Sequence, residues 1–439
     1  MATQNETQLA TARKTAIASL IGTCIEWYDF YIYGTAAALV FSTLFFPSYD
    51  ATVGTMLSFA TFAIGALMRP LGGLICGHYG DKVGRKSMLV VTLLGMGLVT
   101  FLIGLLPTYN QVGIIAPILL IILRMLQGVA FGGEWGGAVL MAVEHAPKEK
   151  KGFFGSFPHM GSPIALFLST GTFALLALLP KEDFMSWGWR VPFLLSAILV
   201  VVGLVLRLQL FESPDFQKVL DSDKVVERPV VEVFRKHWRQ IVIGVCVAVG
   251  PIVAFYVQTL FVVSYATQSA GIARDIVLKA VLIGSAVELV LLGIFAWLSD
   301  IVGRKPVALF GAGFTAITAY PFFLLVDGGT LASVSAAVCL AMVGIAAIYA
   351  VLPAYLADLF EPHVRYSGIS ASFTIASGVL GGFTPAIATA LYAWSQSSVP
   401  VAVYLGIISL ISFFAVLGAK QRGLMSQAPS QSSNLRSVN

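Results

Sequence analysis

Glu26 and Asp29 fall about ten and thirteen residues into the first long apolar run of the chain. At 1.5 Å per residue that puts them ~15 to 20 Å deep, at the middle of a bilayer. Their i, i+3 spacing sets both carboxylates on one helix face, with Tyr33 one turn beyond Asp29. A carboxylate at that depth costs about 2.5 to 3.5 kcal/mol on insertion scales, so it is expected to line a polar cavity and to have a partner. Arg124, about ten residues into a run that enters from the opposite side, reaches a similar depth and is the expected partner. Two acids facing one guanidinium leave one negative charge over. Burial disfavours the charged form, so a shared proton relieves the pair. The chemistry this suggests is reversible protonation of Asp29, or of the Glu26/Asp29 pair, with Arg124 neutralising the pair or binding a carboxylate of a transported molecule. A static salt bridge between the two helices is the bland alternative.

Other polar residues sit inside apolar runs. Glu134, within GGEWGG, lies a turn or more beyond the midplane and is expected to pair with Arg69 at comparable depth, either as a conformational lock or as a proton step. In the second half Glu288 is the one acid well inside a run; it either faces the cavity or has a local partner. Tyr256, Gln258 and Tyr349 supply neutral donors and acceptors. Ser370, Thr374 and Ser377 follow i, i+4, i+7 spacing and share a helix face, although such hydroxyls often bond back to their own helix. Trp27, Tyr28, Tyr31 and Trp135 are pocket or packing aromatics.

The elements that must position these residues are membrane helices. The chain has 439 residues, 57% hydrophobic and 11% charged, with a mean hydropathy of +0.86, whereas a soluble domain carries about 25% charged residues. Twelve runs of spanning length read near 17–46, 53–76, 87–106, 113–142, 153–179, 190–210, 239–265, 276–298, 307–326, 331–356, 367–393 and 398–420. Lys and Arg concentrate on one side: Arg13, Lys14, Lys82, Arg85, Lys86, Lys148, Lys150, Lys151, most of 207–239, Arg304, Lys305, Arg365, Lys420, Arg422 and Arg436. Lys181, Arg190, Arg274 and Lys279 face the other way. Both termini are therefore expected in the cytoplasm, and the net charge of +5 is a topology signal with no nucleic-acid site in it. The polar stretch up to Thr15 leads straight into the first run, so that run is expected to serve as the insertion signal. Cys24, Cys76, Cys246 and Cys339 lie in apolar runs without metal-ligand spacing, so neither disulfides nor a metal site is expected. His78, His145, His159, His237 and His363 are scattered, His159 being the least bland because it enters the fifth run between Pro158 and Pro163.

The segment 212–238 divides the runs six and six. It reads as a cytoplasmic linker, either amphipathic surface helices or a plain tether, between bundles at 1–211 and 239–424. A Ser-, Gln- and Asn-rich tail at 425–439 is expected to be disordered. The halves repeat. GHYGDKVGRK at 77–86 returns as AWLSDIVGRK at 296–305, and GFFGSF from Gly152 echoes GISASF from Gly368. Gly84 and Gly303 suit a tight turn that needs positive φ. Because Ala296 and Ser299 replace Gly77 and Gly80, the second hairpin is expected to gate less tightly.

This pattern resembles the major facilitator superfamily. EWYDFYIYG at Glu26, RPLGG at Arg69, RMLQGVAFGGEWGG at Arg124, SWGWRVPF at Ser186 and VRYSG at Val364 resemble its metabolite:proton symporter family, which includes α-ketoglutarate, citrate, shikimate and proline/betaine permeases. The resemblance implies two six-helix bundles rocking about a central site and a functional monomer in a bacterial inner membrane. It also implies an inner gate of Asp81, Arg85 and Glu144, echoed by Asp300, Arg304, Asp358 and Arg365. The function expected is proton-coupled import of a small polar metabolite, an organic acid, driven by the proton gradient with no cofactor. An osmolyte or zwitterion symporter, or an uncoupled facilitator, is the alternative. There is no GxxxxGK[ST] loop for an ATP-driven pump, and the scattered His residues do not build an enzyme site.

Overall fold

In the computed structural model, which describes residues 2–49, 51–176, 178–221 and 227–419, the described residues form helices and turns with no strand. In chain order the twelve long helices are α1 Ala2–Ala36, α2 Ala51–Val83, α3 Arg85–Leu105, α4 Ile115–His145, α5 Phe157–Leu176, α6 Val191–Leu208, α7 Trp238–Phe255, α8 Arg274–Val302, α9 Arg304–Val326, α10 Leu331–Ala357, α11 Arg365–Thr374 and α12 Val399–Gly418. π-helical turns extend α1 (Ala37–Phe41), α7 (Tyr256–Phe261 and, after Val262–Ser264, Tyr265–Ser269) and α11 (Ile375–Gly381), and α11 then continues as Thr384–Ser395. A π turn inserts one residue and re-aims the side chains after it. It is in such turns that Tyr256, Gln258 and Ser377 sit.

Among the described residues eleven helices are long and apolar enough to cross a membrane. The first is not in that set, because Glu26, Asp29 and the polar start of α1 dilute its hydropathy. Exposed apolar side chains form outward stripes, for example Val91, Leu94, Leu98, Leu102 and Leu105 on α3, as lipid-facing helices require. Helix contact inside the bundle depends on missing side chains. A Cβ on Gly132 would lie 2.0 Å from the Arg69 carbonyl oxygen, and one on Gly72 1.9 Å from that of Val129, so α2 and α4 run backbone to backbone. Gly84 and Gly303 make the α2–α3 and α8–α9 turns at φ 114° and 95°, a region side-chain-bearing residues avoid.

The segment between α6 and α7 carries two short helices, Pro214–Asp221 and Pro229–Lys236, which bury Phe216, Val219 and Val233. The tether reading of that stretch therefore gives way to the amphipathic one. Residues 425–439 lie outside the described residues.

Candidate functional site

Asp29 is fully buried, and its partners are hydroxyls. Thr100 of α3 donates to Oδ2 at 2.7 Å and Ser196 of α6 donates to Oδ1 at 2.6 Å. The expected direct pair with Arg124 does not form. The Arg124 guanidinium donates to Gln127 Oε1, Gln127 Nε2 donates to Thr100 Oγ1 at 2.8 Å, and only through Thr100 is Asp29 reached. The reason is steric and local. Arg124 sits in an aromatic box, its Cζ 4.1 Å from the Tyr33 ring centroid and 4.9 Å from that of Phe62, with Gly65 making room beside its Nε. Tyr33 is fixed there by a 2.7 Å bond between its hydroxyl and that of Thr61. The Arg124 Nε is buried without a partner.

Glu26, also buried, has neither carboxylate oxygen hydrogen-bonded. The two acids of α1 share a helix face as their spacing required, but they open onto different neighbours, and the two-acids-one-base arrangement is corrected accordingly.

Glu134 does not meet Arg69. It forms a buried ion pair with Arg207 of α6, whose Nη1 lies 3.0 Å from Oε2, and it accepts from Thr92 Oγ1 at 2.6 Å. Arg207 also donates to the Leu89 carbonyl. Sequence reasoning placed Arg207 at the cytoplasmic edge because it closes the sixth apolar run. The packing of α6 on α3 and against Gly22 of α1 instead buries it. Arg69 is consequently free of carboxylates: among the described residues none lies within ion-pair distance. Its Cζ sits 3.8 Å from the Phe131 centroid and 4.8 Å from that of Phe30, beside Tyr256 of α7. It belongs between the halves near the centre, away from the gate.

The second half meets this region through aromatic groups. Phe373 stacks on Trp135 with centroids 3.6 Å apart, and Tyr349 stacks on His159 at 4.6 Å. Tyr31, hydrogen-bonded to Ser162 at 3.0 Å, faces Tyr256, Glu288 and Tyr349 across the halves. Glu288 is 4% exposed with no cation in ion-pair distance among the described residues. The Gln258 amide, Trp135 Nε1, His159 Nε2 and the Ser370 and Ser377 hydroxyls are buried without partners. Trp27 packs among Phe30, Tyr31 and Phe131. Thr374 bonds back to the Ser370 carbonyl at 2.6 Å and lies against Gly73, while Ser370 lies against Gly136. These two hydroxyls line the α11 contact with α2 and α4, where small neighbours leave them no open face. Ser162, Thr100, Ser196 and Gln127 were missed, whereas Tyr31 was read as a pocket or packing aromatic and His159 was singled out without a role; nothing in one-dimensional spacing marks a hydroxyl or an amide as facing an acid on another helix.

At the ends of α2 and α8 the halves are latched. Asp81 accepts from the backbone N–H of Tyr366 (3.2 Å) and Ser367 (2.8 Å), capping α11, and lies 3.4 Å from Arg85. Asp300 does the same for the Lys151–Gly155 helix that leads into α5, accepting from Gly152 at 2.7 Å and Phe153 at 2.8 Å. A carboxylate on a helix N-terminus is favoured by both the free N–H groups and the dipole. The second latch is as close as the first, contrary to expectation, because the small residue has changed sides. Gly77 and Gly80 leave room for Ser367 and Tyr366, whereas Gly152 leaves room for Ser299. The charges then interlace. Arg365 binds Glu144 at 2.7 Å and Asp215 of the linker at 3.0 Å, Arg85 reaches Glu144 at 3.8 Å and the Pro362 carbonyl at 2.7 Å, and Arg304 pairs with Asp358. The linker joins the latch, with Ser213 donating to Glu144 and Glu212 capping α3 through the N–H groups of Arg85 and Lys86. On this side the two halves are closed.

The chain is similar to known transport proteins. Residues 14–228 match the family described as "Sugar (and other) transporter". The chain is 40% identical over 423 residues to the inner membrane metabolite transport protein YhjE of Escherichia coli K12, covering 94% of this chain and 95% of that one. It is 39% identical over 414 residues to the shikimate transporter of the same organism, covering 93% and 94%. Among solved structures, the proton:xylose symporter XylE bound to 6-bromo-6-deoxy-D-glucose superposes with a TM-score of 0.73 at 16% identity, covering 93% of this chain and 95% of that one.

Proposed function

Because the chain belongs to the metabolite:proton symporter family of the major facilitator superfamily and is a membrane transporter, we propose that it takes up a small organic acid together with a proton. In this reading Asp29 is the proton carrier, the chain lies in a bacterial inner membrane with both termini in the cytoplasm, and it works as a monomer of two six-helix bundles, 1–211 and 239–424, joined by the linker 212–238. The observation that carries the reading is Asp29 itself, a buried carboxylate near the midplane held by two hydroxyls and no cation. Hydroxyls can donate to a carboxylate and accept from a carboxylic acid, so they tolerate either protonation state, which a salt bridge does not.

Transport then follows from the geometry. A proton reaching Asp29 removes a buried negative charge. Arg124 and Arg69, both without a bound carboxylate, provide positive potential for the substrate anion, and the aromatic pairs Trp135/Phe373 and His159/Tyr349 close over its apolar parts. Occupancy from both halves favours rocking, the Asp81 and Asp300 latches open, and the site faces the cytoplasm.

A specific feature supports a second reading. Glu288, buried among Tyr31, Tyr256 and Tyr349 and unpaired with a cation, would suit the ammonium of a zwitterion as well as a second proton. Reconstitution in liposomes with a pH-sensitive dye inside separates these. Organic acids, shikimate among them, are expected to drive lumen acidification and betaines are not. Acidification with betaines would select the zwitterion reading, and substrate exchange without proton flux would select a facilitator. Asp29→Asn is expected to abolish uphill accumulation; accumulation that persists removes Asp29 as the carrier.

A further inference from the structure

The route between Asp29 and Arg124 contains a choice. Thr100 Oγ1 lies 2.7 Å from Asp29 Oδ2, 2.9 Å from the Met96 carbonyl and 2.8 Å from Gln127 Nε2. Nε2 can only donate, so the single hydroxyl hydrogen of Thr100 goes either to Asp29 or to Met96. Ser196, by contrast, has Asp29 Oδ1 as its one acceptor among the described residues. The charged and titratable groups facing Asp29 are Glu26 and Tyr28 on its own helix and Arg124 on α4; α3 and α6 offer it Thr100 and Ser196.

We infer that Thr100 and Gln127 are the positioning residues through which a proton on Asp29 is communicated to Arg124. This rests on the reading of Asp29 as proton carrier. With Asp29 ionised, the dipoles run in one direction from cation to anion: Arg124 donates to Gln127 Oε1, Gln127 Nε2 to Thr100, and the Thr100 hydroxyl to Oδ2. Bonds aligned this way strengthen one another, and Arg124 is held to its counter-charge at a distance. A proton arriving on Oδ2 reverses the last link. The new Asp29 O–H donates to Thr100 Oγ1, the Thr100 hydrogen turns to the Met96 carbonyl, and every hydrogen keeps an acceptor. A proton on Oδ1 instead would strand the Ser196 hydrogen, so Oδ2 is the protonated oxygen. Thr100 oxygen now accepts from two donors, its hold on Gln127 weakens, and Arg124 loses the anion at the end of the chain. The guanidinium, whose Nε already lacks a partner, is released toward a substrate carboxylate.

The test needs no substrate. Infrared pH-difference spectra of the full chain in liposomes give the Asp29 carboxylic C=O band, identified by its loss in Asp29→Asn, and the Arg124 guanidinium bands, identified by ¹⁵N-arginine labelling and Arg124→Lys. In the parent the guanidinium bands are expected to move with the same midpoint pH as the C=O band. In Thr100→Val, close in shape but without the hydroxyl, Asp29 still titrates while the guanidinium change falls at least fivefold; Thr100→Ser restores it. Gln127→Met, which cuts the chain on its other side, gives the same loss and serves if the valine variant does not fold. Guanidinium bands that follow Asp29 undiminished in both variants, or that do not follow it in the parent, overturn the inference. A C=O band that survives Asp29→Asn overturns instead the assignment of Asp29 as proton carrier, so the two failures are distinguishable.

Discussion

Replacing Asp81 by asparagine should open the latch between the halves without disturbing the proposed transport site. Asp81 is fully buried, binds two backbone N–H groups of α11 at 3.2 and 2.8 Å and lies 3.4 Å from Arg85. Asparagine keeps one acceptor oxygen and turns an NH₂ toward the other N–H, while the charge facing the helix dipole disappears. Hydrogen bonds to charged groups are worth about 1.5 to 3 kcal/mol each, so losing one and weakening the other costs the closed state roughly 3 kcal/mol. Since these bonds join the two halves, the cost falls on the closed state alone. At about 1.4 kcal/mol per tenfold, the closed-to-open ratio drops ~100-fold, enough to bring a population closed 99 times in 100 to near parity. The assay is the spin-label distance between Val83→Cys and Val302→Cys, both exposed near the latch, in a background lacking Cys24, Cys76, Cys246 and Cys339. A second, longer distance should appear in Asp81→Asn, and equally in Asp300→Asn if the latches are equivalent. A distribution unchanged from the parent in both variants would refute the latch as the energetic basis of closure.

Two further perturbations concern the bundle itself. Arg207→Met leaves Glu134 buried with Thr92 alone, and breaking a buried pair from one side costs about 3 to 5 kcal/mol; thermal unfolding in detergent should fall sharply, and Glu134→Gln added to it should recover much of the loss. A single variant as stable as the parent would mean that the pair contributes nothing. Gly132→Ala pushes a methyl to 2.0 Å from the Arg69 carbonyl oxygen, a backbone atom that cannot swing aside, so the yield of folded protein should collapse, and a normal yield would show the α2–α4 contact to be looser than described.

Composition and the length of the apolar runs determined the membrane class and the helix positions, because a bilayer requires about 20 apolar residues per crossing and leaves little else to decide. The repeat of GDKVGRK as SDIVGRK located the two turn glycines, since a positive φ is a local demand that local sequence must meet; it also marked Asp81 and Asp300, but the helix starts they cap lie in the opposite half and were not legible from it. That Glu26, Asp29 and Arg124 sit buried inside long helices was likewise legible from counting along the apolar runs. Pairing was not. Which cation meets Glu134 depends on whether α2 or α6 presents an arginine at the contact, and the rotation of α6 chose Arg207. Whether Asp29 touches Arg124 depends on the rings of Tyr33 and Phe62 that hold the guanidinium and on Gln127 and Thr100, which stand between it and the carboxylate. The partners of a buried charge are set by the azimuth of each helix and the shape of its neighbours, quantities that hydropathy and spacing along one chain do not contain. The latch exposes the same limit: Ser299 in place of Gly80 read as a loosened hairpin until the packing placed Gly152 opposite it, restoring from the partner helix the space that α8 had lost.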